Sequence, residues 1–190
     1  MKISIRLATI DDVPTLKDLI GESVSVLSAQ FYTSKQITIA LSHVFGVDTQ
    51  LILDGTYFIA EVDGHLAGSG GWSKRKTLFG GDQLKAAQAD ASPDAPTDPA
   101  PDALLNPASD AARVRAFFVH PEWSRKGLGN LILKACEDAA RNEGFRRVEL
   151  AATLPGVPFY LAAGYEKAEE IPIAMPDGET LLTIRMTRLL

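Results

Sequence analysis

Arg113-Val-Arg-Ala-Phe-Phe-Val-His-Pro-Glu-Trp-Ser-Arg-Lys-Gly-Leu-Gly-Asn130 is the stretch on which the reading of this chain turns. Arg113 to Val119 has the composition of a strand, and Pro121 stops its pairing because proline lacks the N–H a sheet ladder needs. A glycine-containing turn then opens a helical pattern from Leu128 to Asn142, closed by Gly144. The first amides of a helix have no partner within it and carry a partial positive charge, so such an end suits a phosphate. Gly127 and Gly129 let the backbone approach an anion without a Cβ in the way, and Arg125 and Lys126 add charge at the same point. A bare Gly-x-Gly is more often an ordinary tight β-α connection, so this motif needs support from its surroundings.

Working outward, Ile3 to Leu7 alternates like an edge strand. Thr9 with Asp12, and Thr33 with Gln36, are spaced as capping boxes at the starts of two helices. The first continues through Val13, Leu16, Leu19 and Ile20, the second through Ile37, Leu41 and Val44. Tyr57–Val62 and Leu66–Trp72 flank Asp63-Gly64, a hairpin signal. Beyond the long helix come a strand at Arg147–Ala152, a short helix at Val157–Ala163 stopped by Gly164, and a second hairpin around Pro176-Asp-Gly178. The order β-α-α-β-β-β-α-β-α-β-β predicts a mixed α/β sheet with helices on its faces. Residues 86–112 break the pattern. They are rich in Ala, Asp and Pro, cannot bury enough apolar surface to offset ordering, and read as a long, flexible, acidic insertion within one domain spanning 1–190.

Bulk properties limit the function classes. The chain has 190 residues, 46% hydrophobic, and a formal net charge of −5, enough for one domain with a real core. Mild acidity argues against a general nucleic-acid or membrane-surface binder, which needs a clustered basic excess. No run nears the roughly 18–20 apolar residues that span a bilayer. Cys136 is the single cysteine, so no internal disulfide forms; it falls on the apolar face of the long helix, as a small core residue. His43, His65 and His120 lack partners at metal-ligand spacing, so no metal is expected. A cytoplasmic protein is the expectation.

Two further strings support the glycine turn: Phe117-Phe-Val-His-Pro-Glu-Trp123 before it, and Pro158-Phe-Tyr-Leu-Ala-Ala-Gly-Tyr165 about thirty residues after it. Together they resemble the GNAT superfamily of acyl-CoA-dependent N-acetyltransferases, and the element order extends the resemblance over essentially the whole chain. It implies a central, mostly antiparallel mixed sheet with splayed central strands, flanked by helices. It also implies acetyl-CoA as co-substrate and a primary amine of a small molecule or peptide as acceptor. On the family pattern the amides of Arg125, Lys126, Gly127, Leu128, Gly129 and Asn130 would wrap the pyrophosphate. Main-chain groups of Phe117, Phe118 and Val119 would pair with the pantetheine arm. Tyr160 matches the family tyrosine near the thioester sulfur and would be the general acid toward the departing thiolate. Two positions depart from the family: Ser124 replaces the usual Gln or Arg, and Thr153 stands where many relatives carry Asn, leaving it a shorter contact. Members often dimerise through their last strands, which makes a homodimer compatible with the resemblance.

Other candidates are weaker. Tyr32, at the junction of the first two helices, and Trp72 and Arg75, in the glycine-flanked basic stretch Gly70–Asp82, could line the acceptor site, although a solvated basic loop also explains the latter. Glu22 and His43 read as surface residues of the first helices and alternation turns Glu149 from the cleft, so none is assigned as a general base. A rival reading from another class is a non-catalytic acyl-CoA-binding or regulatory module on the same fold; only the enzyme requires Tyr160 at the sulfur.

Overall fold

The computed structural model describes residues 2–84 and 103–190. Among the described residues the named elements follow the order β1 (Ile3–Leu7), α1 (Val13–Leu27), α2 (Ser34–His43), α3 (Thr49–Leu53), β2 (Tyr57–Val62), β3 (His65–Ser73), β4 (Ala112–Val119), α4 (Leu128–Asn142), β5 (Arg147–Thr153), α5 (Val157–Ala162), β6 (Glu166–Ala174) and β7 (Thr180–Leu189). The strands form one sheet in the order β1-β2-β3-β4-β5-β7-β6. Among the described residues only β4 and β5 pair in parallel, because α4 carries the chain back across the sheet between them. Asp63 and Gly64 both adopt positive φ (50° and 85°), as a tight hairpin turn requires. The Thr33–Gln36 capping box forms with both hydrogen bonds made.

Both faces of the sheet are covered. On one, the stripe Leu128, Ile132, Leu133, Cys136 and Ala140 of α4 packs with Val114, Leu150, Ala152, Tyr160, Ile184 and Met186. On the other, α1 and α3 bury Leu16, Leu19, Ile20 and Leu51 against Tyr57 and Ile59, while α2 brings Ala40 to Leu181 and Ile173 near the free edge. Among the described residues no helix is long and apolar enough to cross a membrane.

One expectation changes. The composition predicts a loose acidic segment over 86–112; residues 86–102 lie outside the described residues, but its end is built into the fold. Leu104 forms a β-bridge with Arg75, Leu105 is buried, and the Leu105 amide donates to the Lys74 carbonyl at 2.8 Å. Leu105 supplies the apolar anchor, while Leu104 stays exposed and contributes its backbone bridge. Gly70 and Gly71 lie inside β3, as the strand expected over Leu66–Trp72 requires, and they are buried where Ile132, Phe117 and Leu51 approach too closely for any Cβ.

Candidate functional site

The sheet opens between its two parallel strands. β4 pairs with β5 only at Ala112–Val148 and Arg113–Glu149. Beyond that, β5 is held by β7 along its whole length and β4 by β3, and the two diverge. A bulge accompanies the divergence. Ser69 lies opposite Phe118 and Gly71 opposite Arg115, so Gly70 faces two residues, Ala116 and Phe117. An extra residue bends its strand and raises its twist. Ala116 takes up the bend at φ 54°, at a cost of order 1 kcal/mol for a residue with a Cβ. A Cβ at Gly70 would lie 2.5 Å from the Phe117 ring and 2.6 Å from Ile132. Phe117, Phe118 and Val119 thus form one wall of a gap whose other wall is Ala151–Thr153, with a strand edge unpaired by β5. Phe117 and Val119 turn toward the α4 face and Phe118 toward the α1 face.

At the end of that wall the chain turns into α4. Arg125 (φ 60°) and Gly127 (φ 85°) are both left-handed. A Cβ at Gly127 would touch nothing within 4 Å, so glycine is demanded there by φ and the outer side of the turn is open. Gly129 has a different reason. Its Cβ would come within 3.1 Å of the Phe159 ring, so this glycine seats α5 against α4. The earliest backbone bond is from the Leu131 amide to the Gly127 carbonyl, 3.3 Å. The amides of Leu128, Gly129 and Asn130 precede it and have no acceptor within the helix. Arg125, Lys126, Gly127 and Asn130 are exposed. Lys126 Nζ lies 4.5 Å over the Trp123 ring, and the Ser124 hydroxyl donates to the Pro121 carbonyl at 2.8 Å, so Ser124 serves its own turn.

Tyr160 reaches this region from the α4 face. Its ring is 7% exposed, with centroids 6.0 Å from Phe117, 5.0 Å from Phe159 and 5.4 Å from Tyr165. No described residue hydrogen-bonds its hydroxyl, and burial, followed by the nearby Cys136, pushes the phenol well above its ordinary value of 10.0. It is therefore protonated at neutral pH. The Tyr165 hydroxyl, by contrast, is committed, donating to buried Glu137 at 2.9 Å, while Arg188 donates to the same carboxylate at 3.0 Å. Burial, with Glu137 next, also raises the Tyr165 phenol.

The acceptor candidates fare differently. β3 runs antiparallel to β4, with Gly68 opposite Val119 and Ser73 opposite Arg113. Trp72 and Arg75 consequently lie at the far end of β4 from the helix turn. Trp72 is 3% exposed and packs edge-on to Phe145 at 6.0 Å. Arg75 donates Nε and Nη2 to Asp54 at 2.7 and 2.8 Å, which holds that carboxyl below its ordinary range. Neither lines the gap; spacing along the chain could not show this, because the register decides it. Tyr32 does reach the rim, as a strut. Its hydroxyl donates to the Leu182 carbonyl at 2.6 Å and accepts from the Leu154 amide at 2.9 Å, so both functions are used. Burial raises its phenol. Thr153 ends β5 opposite Thr183, at the gap, with no cap bond from its hydroxyl.

Pairings between distant residues were not foreseen. His120 Nε2 meets Glu22 at 2.8 Å while its Nδ1 accepts the Glu122 amide at 3.2 Å. Arg115 pairs with Asp48 at 3.0 Å, both buried, and Arg113 pairs with Glu149, which removes Glu149 from the candidate bases. A cavity of about 400 Å³ beside that last pair, lined also by Lys76 and Asp110, opens at the far end of the sheet from Gly127 and Tyr160.

A parallel pair of strands that part beside a left-handed turn and an open helix start defines a class, and the comparisons agree. The model of the acetyltransferase (GNAT) family matches residues 29–165, and the chain belongs to that family. Its fold resembles a GCN5-related N-acetyltransferase from Rhodopseudomonas palustris (18% identity, TM-score 0.70, covering 100% of this chain and 97% of that one). It also resembles the PaiA N-acetyltransferase from Thermoplasma acidophilum in complex with coenzyme A (16%, 0.64, 100% of each). A third likeness is to YncA from Salmonella typhimurium with its cofactor acetyl-CoA (16%, 0.60, 100% and 95%).

Proposed function

We propose that the protein transfers the acetyl group of acetyl-CoA to a primary amine of a small molecule or peptide, by direct attack within a ternary complex. The observation that carries this reading is the parting of β4 and β5 immediately before the exposed turn into α4. The residues present fit an acyl-CoA. The open turn at Arg125–Gly127 and the first amides of α4 suit a diphosphate. The β4 edge at Phe117–Val119 offers main-chain groups to the amides of a pantetheine arm, as an added strand would find them. Solved relatives that share the fold include complexes with CoA and with acetyl-CoA.

When bound, the thioester supplies an activated acyl carbon. A neutral amine reaching the gap from the α1 and α2 face forms the new C–N bond, and the C–S bond breaks to release a thiolate. Tyr160 faces the sulfur side of the gap. An ordinary thiol titrates near ~8.5, below a buried phenol, so the Tyr160 hydroxyl acts on the departing thiolate mainly as a hydrogen-bond donor. The amine's surplus proton leaves to water on the acceptor face.

Thiol release with a panel of amines, alongside CoA titration, tests the reading. Tyr160→Phe is expected to lower kcat about 10- to 100-fold, the worth of a hydrogen bond to a charged group, with CoA affinity within about twofold of the parent. Unchanged turnover removes Tyr160 from the chemistry, and absence of any CoA binding ends the reading altogether.

A further inference from the structure

We infer that the amine acceptor also carries a carboxylate, and that Arg185 of β7 binds it. This rests on the acetyltransferase reading and names the substrate class of that same site. Arg185 lies directly opposite Ala151, two residues beyond the last β4–β5 pair. Residues directly opposite in an antiparallel pair share a face, with Cβ atoms ~5 Å apart. Arg185 therefore stands one strand from the gap, with only a methyl group between. Its neighbours Ile184 and Met186 point into the α4 core, so alternation puts Arg185 on the opposite face, the one from which the amine approaches. α2 covers Leu181 of the same strand.

Arg113 and Arg115 of β4 also project from this part of the sheet. They are taken up by Glu149 and Asp48, the latter pair 3% and 0% exposed in their side chains and sealed from any ligand. Arg185 differs. Its side chain is 37% exposed, and among the described residues its guanidinium meets only Glu169, through Nη1 at 2.9 Å. Its Nε is buried and has no hydrogen-bond partner. A buried N–H without an acceptor is unfavourable, and folded proteins rarely leave one. Nε and Nη2 form the side of the guanidinium that presents two parallel donors, the geometry that receives a carboxylate bidentately. Glu169, 57% exposed, sits cross-strand from Arg185 and can swing away. A doubly charged phosphate would meet Glu169 as well as Arg185, which favours the singly charged, planar group.

The test compares ω-amino acids with their carboxamides, in which amine basicity differs little, and with an aminoalkyl phosphate, using thiol release and CoA titration on the full chain. The expected result is a kcat/KM for carboxylate acceptors about 10- to 100-fold above the carboxamides, the range of a charge-assisted bidentate pair. Arg185→Gln brings carboxylate acceptors down to the carboxamide level through KM. Glu169→Gln, at an exposed position, removes the competing carboxylate and lowers KM for the same acceptors. A merely structural cross-strand pair would move both variants in one direction, so opposite shifts are the signature. Equal rates for the matched acceptors, a stronger response to the phosphate, equal losses in both variants, or CoA binding with no turnover of any carboxylate-bearing amine would each overturn the inference. Failure to bind CoA would instead fall on the site reading beneath it.

Discussion

Ala116 holds a left-handed backbone in the middle of a strand, and its cause lies across the ladder at Gly70. Replacing Ala116 by Gly relieves the strain but frees the unfolded chain, so urea unfolding is expected within about 1 kcal/mol of the parent. Val at the same place is β-branched and should cost about 1–3 kcal/mol. Gly127 isolates the other backbone requirement. A Cβ there clashes with nothing, so Gly127→Ala tests φ alone. Strain of roughly 1–2 kcal/mol would be relieved by re-forming the turn, and CoA affinity should fall about tenfold, read by titration. At this scale the sequence shows residue type but not conformation. Gly127 and Gly129 look alike in Gly-Leu-Gly, yet one serves a dihedral and the other the Phe159 ring. Ala116 carries no sequence signal at all.

Among the elements, α4 is the easiest to read, and the purpose of the glycines in β3 is harder. Leu128, Ile132, Leu133, Cys136 and Ala140 repeat at helical spacing, and the helix runs from Leu128 to Asn142 as that spacing predicts. The strand expected over Leu66–Trp72 forms as β3, but Gly68, Gly70 and Gly71 contribute no apolar alternation and nothing local shows why they stand there. Its glycines answer instead to α4. A Cβ at Gly68 would stand 2.9 Å from Ile132, so helix and strand approach as closely as two backbones and one side chain allow. Gly70→Ala should therefore destabilise by about 1–3 kcal/mol through overpacking. Because the same methyl would push on Phe117, it should also weaken CoA binding, which denaturation and titration can separate from stability loss. The five-residue α3 was missed, being too short to show a period. It matters because its N-cap residue, Asp48, is the carboxylate that receives Arg115 beside the bulge.

Across the whole molecule, what escaped the sequence is long-range pairing, since Arg185, Asp48 and Glu22 meet partners that no local pattern marks. Other long-range contacts fasten separate segments at each end of the sheet. Tyr32 fastens the α1–α2 junction to the rim of the gap. Arg75 fastens Asp54, just after α3, to the segment that follows β3, and the Leu105 amide ties that segment to the approach of β4. The Asp54 carboxyl is held below its ordinary value of 3.8 chiefly by the Arg75 hydrogen bonds. A depressed carboxyl contributes stability that is complete above its unfolded value and is lost as pH falls through the folded one. The Asp54 contribution should hence be complete above about pH 4 and fall away as the pH drops further. Arg75→Met leaves Asp54 desolvated without its cation, which destabilises at neutral pH and moves the acid-unfolding midpoint upward, measurable by circular dichroism. Arg6 holds Asp12 well below its ordinary range by the same means, but Arg6 is 42% exposed and water screens the pair. Arg6→Met should shift the acid midpoint less, and high salt should shrink that difference further while sparing the Arg75 effect. Equal shifts in the two variants would show that the far end of β4 is not fixed by Arg75.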